Sequence, residues 1–167
     1  KNVWPHIFTV KTSEDNLGDD KGTENHKIGA FAFYNKGLFD EGKKSVPLVL
    51  GFHGGGDSCF FFWTMAGWAN IAHNNNFLLV TIENHLNSTA TEMIEVIEEL
   101  KKIYNIDETK IYSTGFSMGG CKTWDFVQEY PDVFAAVAPM DATFDVGQNV
   151  YGQEVVGGIN EDVSVPI

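Results

Sequence analysis

Ile111-Tyr112-Ser113-Thr114-Gly115-Phe116-Ser117-Met118-Gly119-Gly120 passes from a β-rich run, Ile111 to Thr114, into G-x-S-x-G and then into a helix-like stretch from Cys121. A strand that folds back this sharply into a helix has no room for side chains at Gly115 and Gly119. The turn lifts Ser117 Oγ above the end of the sheet and aims a helix N-terminus at the reacting atom. The stretch therefore predicts a nucleophile elbow spanning 115–119 with Ser117 at its tip. G-x-S-x-G alone is a weak pattern that glycine-rich turns match by accident, so its weight depends on the rest of the chain.

A second motif lies upstream, in Leu50-Gly51-Phe52-His53-Gly54-Gly55-Gly56-Asp57. The apolar run Pro47 to Phe52 leads into His-Gly-Gly-Gly, and glycines after a buried strand let backbone N–H groups approach a ligand without Cβ atoms in the way. A generic glycine turn is the plain alternative. Against it, both motifs follow strands and stand in the order that a catalytic pair would need.

The remaining periodicity predicts alternating strands and helices. Ile28 to Tyr34, Val46 to Phe52, Phe77 to Ile82 and Phe134 to Met140 read as strands, and their uniformly apolar character suits a parallel sheet covered on both faces. Residues 60–73 suggest a helix. Thr89-Ala90-Thr91-Glu92 matches a capping box that opens a helix through Tyr104, with Ile94, Ile97 and Leu100 on one face. A further helix follows the elbow and stops at Pro131. The β-α-β-α-β order is that of a doubly wound, mainly parallel α/β sheet. Residues 11–27 read as a polar surface loop, and 143–162 as a glycine-rich polar stretch.

The chain has 167 residues, 43% hydrophobic and 20% charged, which fits one domain with a real core. No apolar run approaches the ~20 residues needed to span a bilayer. Phe60-Phe61-Phe62-Trp63 is too short for that and fits a helix start that is buried or lines a pocket. The net charge is −12, and every basic residue is Lys. That balance argues against nucleic acid as a partner, and the lack of Arg removes the bidentate fork for phosphate or carboxylate groups. A neutral or weakly charged ester is expected rather than a phosphoester, and solubility is the plainer reading of most of the acidity. Cys59 and Cys121 make no disulfide framework; two buried thiols are the plainer reading, a disulfide between them the other. With no C-x-x-C or H-x-x-x-H spacing, neither zinc nor any other cofactor is expected.

Together, His53-Gly54-Gly55-Gly56 and Gly115-Phe116-Ser117-Met118-Gly119-Gly120 resemble the α/β-hydrolase superfamily. Asn105 to Tyr112 before the elbow and Tyr130 to Ala136 after it are similar to its esterase branch. That branch holds polyhydroxybutyrate-depolymerase-like proteins, feruloyl esterases and acetyl xylan esterases. The resemblance covers roughly residues 28–141. It implies a serine carboxylic-ester hydrolase acting through an acyl-enzyme on Ser117, on a small-molecule or polymeric ester of a saccharide, hydroxycinnamate or hydroxyalkanoate. The oxyanion hole would combine the N–H of Met118 with N–H groups of Gly54, Gly55 and Gly56 in the loop 53–57. His53, Phe60, Trp63, His85 and Trp124 are candidates to line the substrate site. The larger part of the weight goes to His53 as an anchor of the glycine loop and to the aromatics as core. The branch leans towards exported enzymes. Two alternatives are a prolyl-oligopeptidase-type serine peptidase, which shares the elbow, and a catalytically inactive hydrolase-like binding scaffold.

In this superfamily the triad runs Ser, then Asp or Glu, then His, yet the five histidines, His6, His26, His53, His73 and His85, all precede Ser117. The favoured expectation is that residues 1–167 form the N-terminal part of a single α/β-hydrolase domain, apparently lacking its C-terminal strands. Val163 to Ile167 would begin the next strand, and a complementing C-terminal chain would carry the Asp and His. A sheet cut there would expose a strand edge that invites pairing. A divergent triad using His85 with Asp141 as the alternative acid is the weaker expectation.

Overall fold

Along β3 (Val46–Phe52), Leu48, Leu50 and Phe52 enter one apolar cluster and Val49 the opposite one. Along β4 (Leu78–Ile82), Leu78, Val80 and Ile82 join the first cluster and Leu79 the second. Successive side chains of a strand point to opposite faces, so strands that are apolar throughout are stable only with cover on both sides. The computed structural model describes residues 3–11, 27–35, 37–39, 45–83, 85, 88–142, 147–148, 154–155 and 163–167. Among these, β1 (Val3–Lys11), β2 (Lys27–Asn35), β5 (Ile106–Phe116) and β6 (Ala136–Met140) complete one sheet in the order β1-β2-β4-β3-β5-β6. β1 and β2 pair antiparallel, as do β2 and β4, whereas β4, β3, β5 and β6 run parallel.

Helices cover both faces. α1 (Cys59–Thr64) and α2 (Trp68–Asn75) close over Phe33 and Leu79. α3 (Ala90–Ile103) and α4 (Met118–Glu129) bury Met93, Val96, Ile97, Leu100, Phe126 and Val127 against the other face. This is the doubly wound α/β-hydrolase architecture expected from the sequence. The predicted capping box is formed: Glu92 N–H donates to Thr89 Oγ1 at 3.1 Å and Thr89 N–H to Glu92 Oε2 at 2.9 Å.

Several expectations change in detail. The single helix over 60–73 is two helices, interrupted at Met65-Ala66-Gly67, where Gly67 takes φ +79°. The elbow strand begins earlier, at Ile106, with a register shift against β3 between Val46 and Leu48. β1 was not anticipated: it contains Pro5, which a sheet tolerates at its edge. The predicted loop at 11–27 lies almost wholly outside the described residues. A short antiparallel pair, β7 (Gly147–Gln148) and β8 (Glu154–Val155), falls in the stretch read as glycine-rich and polar. Cys59 and Cys121 form no disulfide with each other, and only Cys59 is buried. The β6 edge, expected to be bare, is met by the chain itself: Val137 N–H donates to Pro166 O at 3.0 Å, with Val163 and Val165 packed on the core.

The elbow is held by backbone contact. A Cβ on Gly115 would lie 2.2 Å from Gly119 O, and one on Gly119 would lie 2.2 Å from Phe52 O and 2.6 Å from His53 O. These obstacles are main chain and cannot swing aside. Gly119→Ala is expected to destabilise the fold by about 2–4 kcal/mol, as forced overpacking does, read as a drop in the denaturation midpoint.

His85 is fully enclosed just beyond β4, edge-on to Phe52 with ring centroids 5.3 Å apart. Burial, followed by the charges of His53 and Lys122, lowers its pKa from an ordinary 6.5 to about 3. The unfolded chain therefore binds a proton here that the native state refuses. The stability that this group contributes is fully present above pH ~6.5 and declines as the pH falls towards 3, by up to about 1.4 kcal/mol per unit. Melting temperature between pH 6.5 and 4 is expected to fall more steeply in the natural protein than in His85→Leu.

Candidate active site

The chain leaves β3, β4, β5 and β6 at one end of the sheet, where open α/β sheets gather their ligands. Pairing of Phe52 with Gly115 and of Phe116 with Met140 brings the loops after β3, β5 and β6 level with one another. Ser117 stands between β5 and α4 with φ +54° and ψ −118°, and its N–H donates to Met140 O at 2.9 Å. A non-glycine residue in this region is strained, and such strain persists only where surrounding structure over-determines it. Here the glycine contacts behind the turn and the bond to Met140 do so. Ser117 makes no side-chain cap bond to α4, the helix it opens.

Gly54 sits beside the elbow: a Cβ there would be 3.4 Å from the Phe116 ring and 3.6 Å from Phe116 O. Residues 54–57 form a turn closed by Asp57 N–H to Gly54 O at 3.2 Å, with Gly56 at φ +77°, a conformation that glycine adopts without strain. Gly55 and Gly56 are exposed. Among the described residues, no backbone hydrogen bond takes up the N–H of Gly54, Gly55 or Met118.

His53 is buried beneath this loop, with Nδ1 2.8 Å from Gly54 O and Nε2 2.8 Å from Glu83 O. Both ring nitrogens therefore face backbone carbonyls, and the single N–H of a neutral imidazole donates to one of them. His85 donates from Nε2 to His53 O at 2.9 Å, and its Nδ1 has no partner among the described residues. This arrangement corrects two expectations. An enclosed His85 presents no surface for a substrate to touch, and neither of its nitrogens bonds Ser117. Asp141, the alternative acid, is exposed at the end of β6 with φ +49°, and no bond to His85 is formed.

The candidate aromatics do not form one wall. Phe60 is 62% exposed on α1 and stands edge-on to Trp63, whose ring lies 4.4 Å from that of Phe33 in the cluster under α1 and α2. Trp124 packs on the cluster under α3 and α4, across the sheet. Phe62 is core, stacked on Trp68 at 5.5 Å.

Glu83 is the residue that sequence reading missed. Its carbonyl holds His53, and its carboxylate accepts the Cys59 N–H at 2.9 Å, fixing the start of α1. These partners are 30 and 24 positions away in sequence, so no local pattern could have marked it. His53, Cys59 and Glu83 bring one nitrogen, one sulfur and one carboxylate oxygen within 4.8 Å of one another, a grouping that could in principle hold a metal ion. Each is already engaged, however: the imidazole and carboxylate by the backbone, and the thiol held well above its ordinary pKa, first by burial. A buried thiol of this kind stays protonated and is a poor ligand.

Two curated proteins resemble the chain. One is a bifunctional acetylxylan esterase/xylanase of Neocallimastix patriciarum, 27% identical over 135 residues, covering 70% of this chain and 19% of that protein. The other is poly(3-hydroxyalkanoate) depolymerase C of Paucimonas lemoignei, 23% identical over 115 residues, covering 58% of this chain and 28% of that protein. The chain thus spans less than a third of either. Among solved structures, S-formylglutathione hydrolase FrmB of Staphylococcus aureus superposes with a TM-score of 0.69 at 15% identity, over 87% of this chain and 59% of that one. Residues 73–157, just over half of the chain and including the whole elbow, match the prolyl oligopeptidase family. With its sheet order, its elbow and this match, the chain belongs to the prolyl oligopeptidase family of α/β-hydrolases.

Proposed function

We propose that this chain carries the nucleophile and oxyanion loop of a serine carboxylic-ester hydrolase. The observation that carries the reading is Ser117, a non-glycine residue held at φ +54° where β5 turns into α4. In this reading Ser117 Oγ attacks the ester carbonyl. The oxyanion then lies between the N–H of Met118 and N–H groups of Gly54, Gly55 and Gly56. Donors fixed before the reaction stabilise that charge without reorganisation, and losing one typically costs about 10²–10³ in rate. A histidine takes the Ser117 proton, returns it to the leaving alkoxide, and water releases the acyl group.

That histidine and its orienting acid are proposed to come from polypeptide outside these 167 residues. Support comes from the two histidines nearest the elbow: His53 is buried with both ring nitrogens turned to backbone carbonyls, and His85 is sealed within the core. The substrate is proposed to be a neutral ester of a saccharide, hydroxycinnamate or hydroxyalkanoate. The absence of Arg and the net charge of −12 favour a neutral ligand, and the two curated relatives are named for acetylxylan and poly(3-hydroxyalkanoate). The family match favours a second reading, a peptidase built on the same elbow.

In the full-length protein, a fluorophosphonate probe is expected to add to Ser117, as read by peptide mass spectrometry, and Ser117→Ala is expected to abolish both labelling and turnover. An unlabelled Ser117 would leave an inactive binding scaffold. Chromogenic acetyl and feruloyl esters are expected to be hydrolysed at least ~100-fold faster than a prolyl peptide anilide. The reverse ranking would establish the peptidase reading instead.

A further inference from the structure

A peptide unit is planar and trans, so its C=O and N–H point in opposite directions. Fixing a carbonyl therefore aims the N–H that follows it. The unit joining His53 to Gly54 has its carbonyl held by His85 Nε2–H at 2.9 Å, and its N–H belongs to Gly54. The next unit, joining Gly54 to Gly55, has its carbonyl against His53 Nδ1 at 2.8 Å and the Asp57 N–H at 3.2 Å, and its N–H belongs to Gly55. The two imidazoles lie edge to face at 4.5 Å. Two histidines thus lie against the carbonyl side of two successive peptides, and among the described residues no backbone hydrogen bond takes up the N–H groups of those peptides.

His85 is an unusual choice for a merely structural spacer. It is fully buried, and among the described residues its second nitrogen has no partner, a cost that an apolar residue of similar size would not carry. A carbonyl only accepts, so Nε2 carries the proton, and burial keeps the ring neutral with that proton in place across the physiological range. The ring is thus a fixed, one-sided donor aimed at the His53 carbonyl. That carbonyl also lies 2.6 Å from where a Cβ on Gly119 would sit, so the same peptide is pinned between His85 and the start of α4.

We infer that His85 is a positioning residue for the oxyanion loop, orienting the His53–Gly54 peptide so that the Gly54 N–H faces the reaction at Ser117. This inference rests on the ester-hydrolase reading above. His85 touches no substrate; it acts through the His53 carbonyl. Because the donor it aims matters most when charge develops on the substrate, its loss should appear in kcat rather than KM.

The test is steady-state hydrolysis of p-nitrophenyl acetate by the full-length protein and three variants. His85→Leu fills the site without a donor. His85→Asn carries an amide that reaches only the position of Nδ1. His85→Gln can place its amide N–H where Nε2 stood. Leu and Asn variants are expected to lose about 10- to 100-fold in kcat, up to the range for losing one oxyanion donor, with KM within about twofold. The Gln variant is expected to return to within about fivefold of the natural protein. A folded Leu or Asn variant with unchanged kcat overturns the inference, as does a Gln variant no faster than Asn. Should the Leu variant fail to fold, the Asn–Gln comparison decides alone. If the natural protein neither hydrolyses the ester nor labels at Ser117, the functional reading itself falls and takes this inference with it. That result appears before any variant is made.

Discussion

Main chain packed directly on main chain at Gly119 organises the working end of this molecule. With a Cβ position 2.2 Å from Phe52 O, the first turn of α4 lies against the end of β3 at a distance that no other residue allows. The same residue's carbonyl occupies the space beside Gly115, so strand, turn and helix are locked together. From this contact follow the strained backbone of Ser117, the seat of the glycine loop beside Phe116, and the common level at which the loops leave β3 and β5. The energetic cost of the turn is borne by the sheet behind it, where Leu48, Leu50 and Phe52 are completely buried.

Below the loop the chemistry is polar yet closed. His53, Glu83, His85 and the Cys59 N–H form a connected set in which imidazole and carboxylate are spent on backbone groups. Buried polar networks of this kind rigidify when satisfied, because an unpaired group in a dry interior is costly. The exception is His85 Nδ1, and its position next to the most constrained peptide of the site is what gives it meaning. Donors of the same network lie close enough to suggest a metal ion, but the buried Cys59 thiol stays protonated and is a poor ligand. The imidazole and carboxylate groups of the network are turned to backbone groups, and none of them bonds Ser117.

Much of the architecture was legible along the chain because its causes are local. Thr89 and Glu92 cap each other across a single turn, and β3 and β4 announce burial on both faces by being apolar at nearly every position, Thr81 apart. The break at Gly67 was not legible, since apolar spacing continued through it and only the observed φ of +79° separates α1 from α2. Nor was β1, whose place at the sheet edge depends on β2 as its partner. Grouping Trp63 with Trp124 failed for a related reason: both follow site motifs in sequence, yet they fall on opposite faces of the sheet.

The sequence by itself determined the elbow, the glycine loop and the doubly wound order, because glycine spacing and apolar runs act through neighbouring residues. It also singled out Ser117 and marked His53 as an anchor of the loop. Only the tertiary structure decided what Glu83 and His85 contact, and that neither nitrogen of His85 bonds Ser117. Those contacts span 24 to 32 positions and are made when β3 and β4 pair side by side. Burial then sets the protonation of His85, and burial is a property of the packed sheet that no single stretch of residues contains.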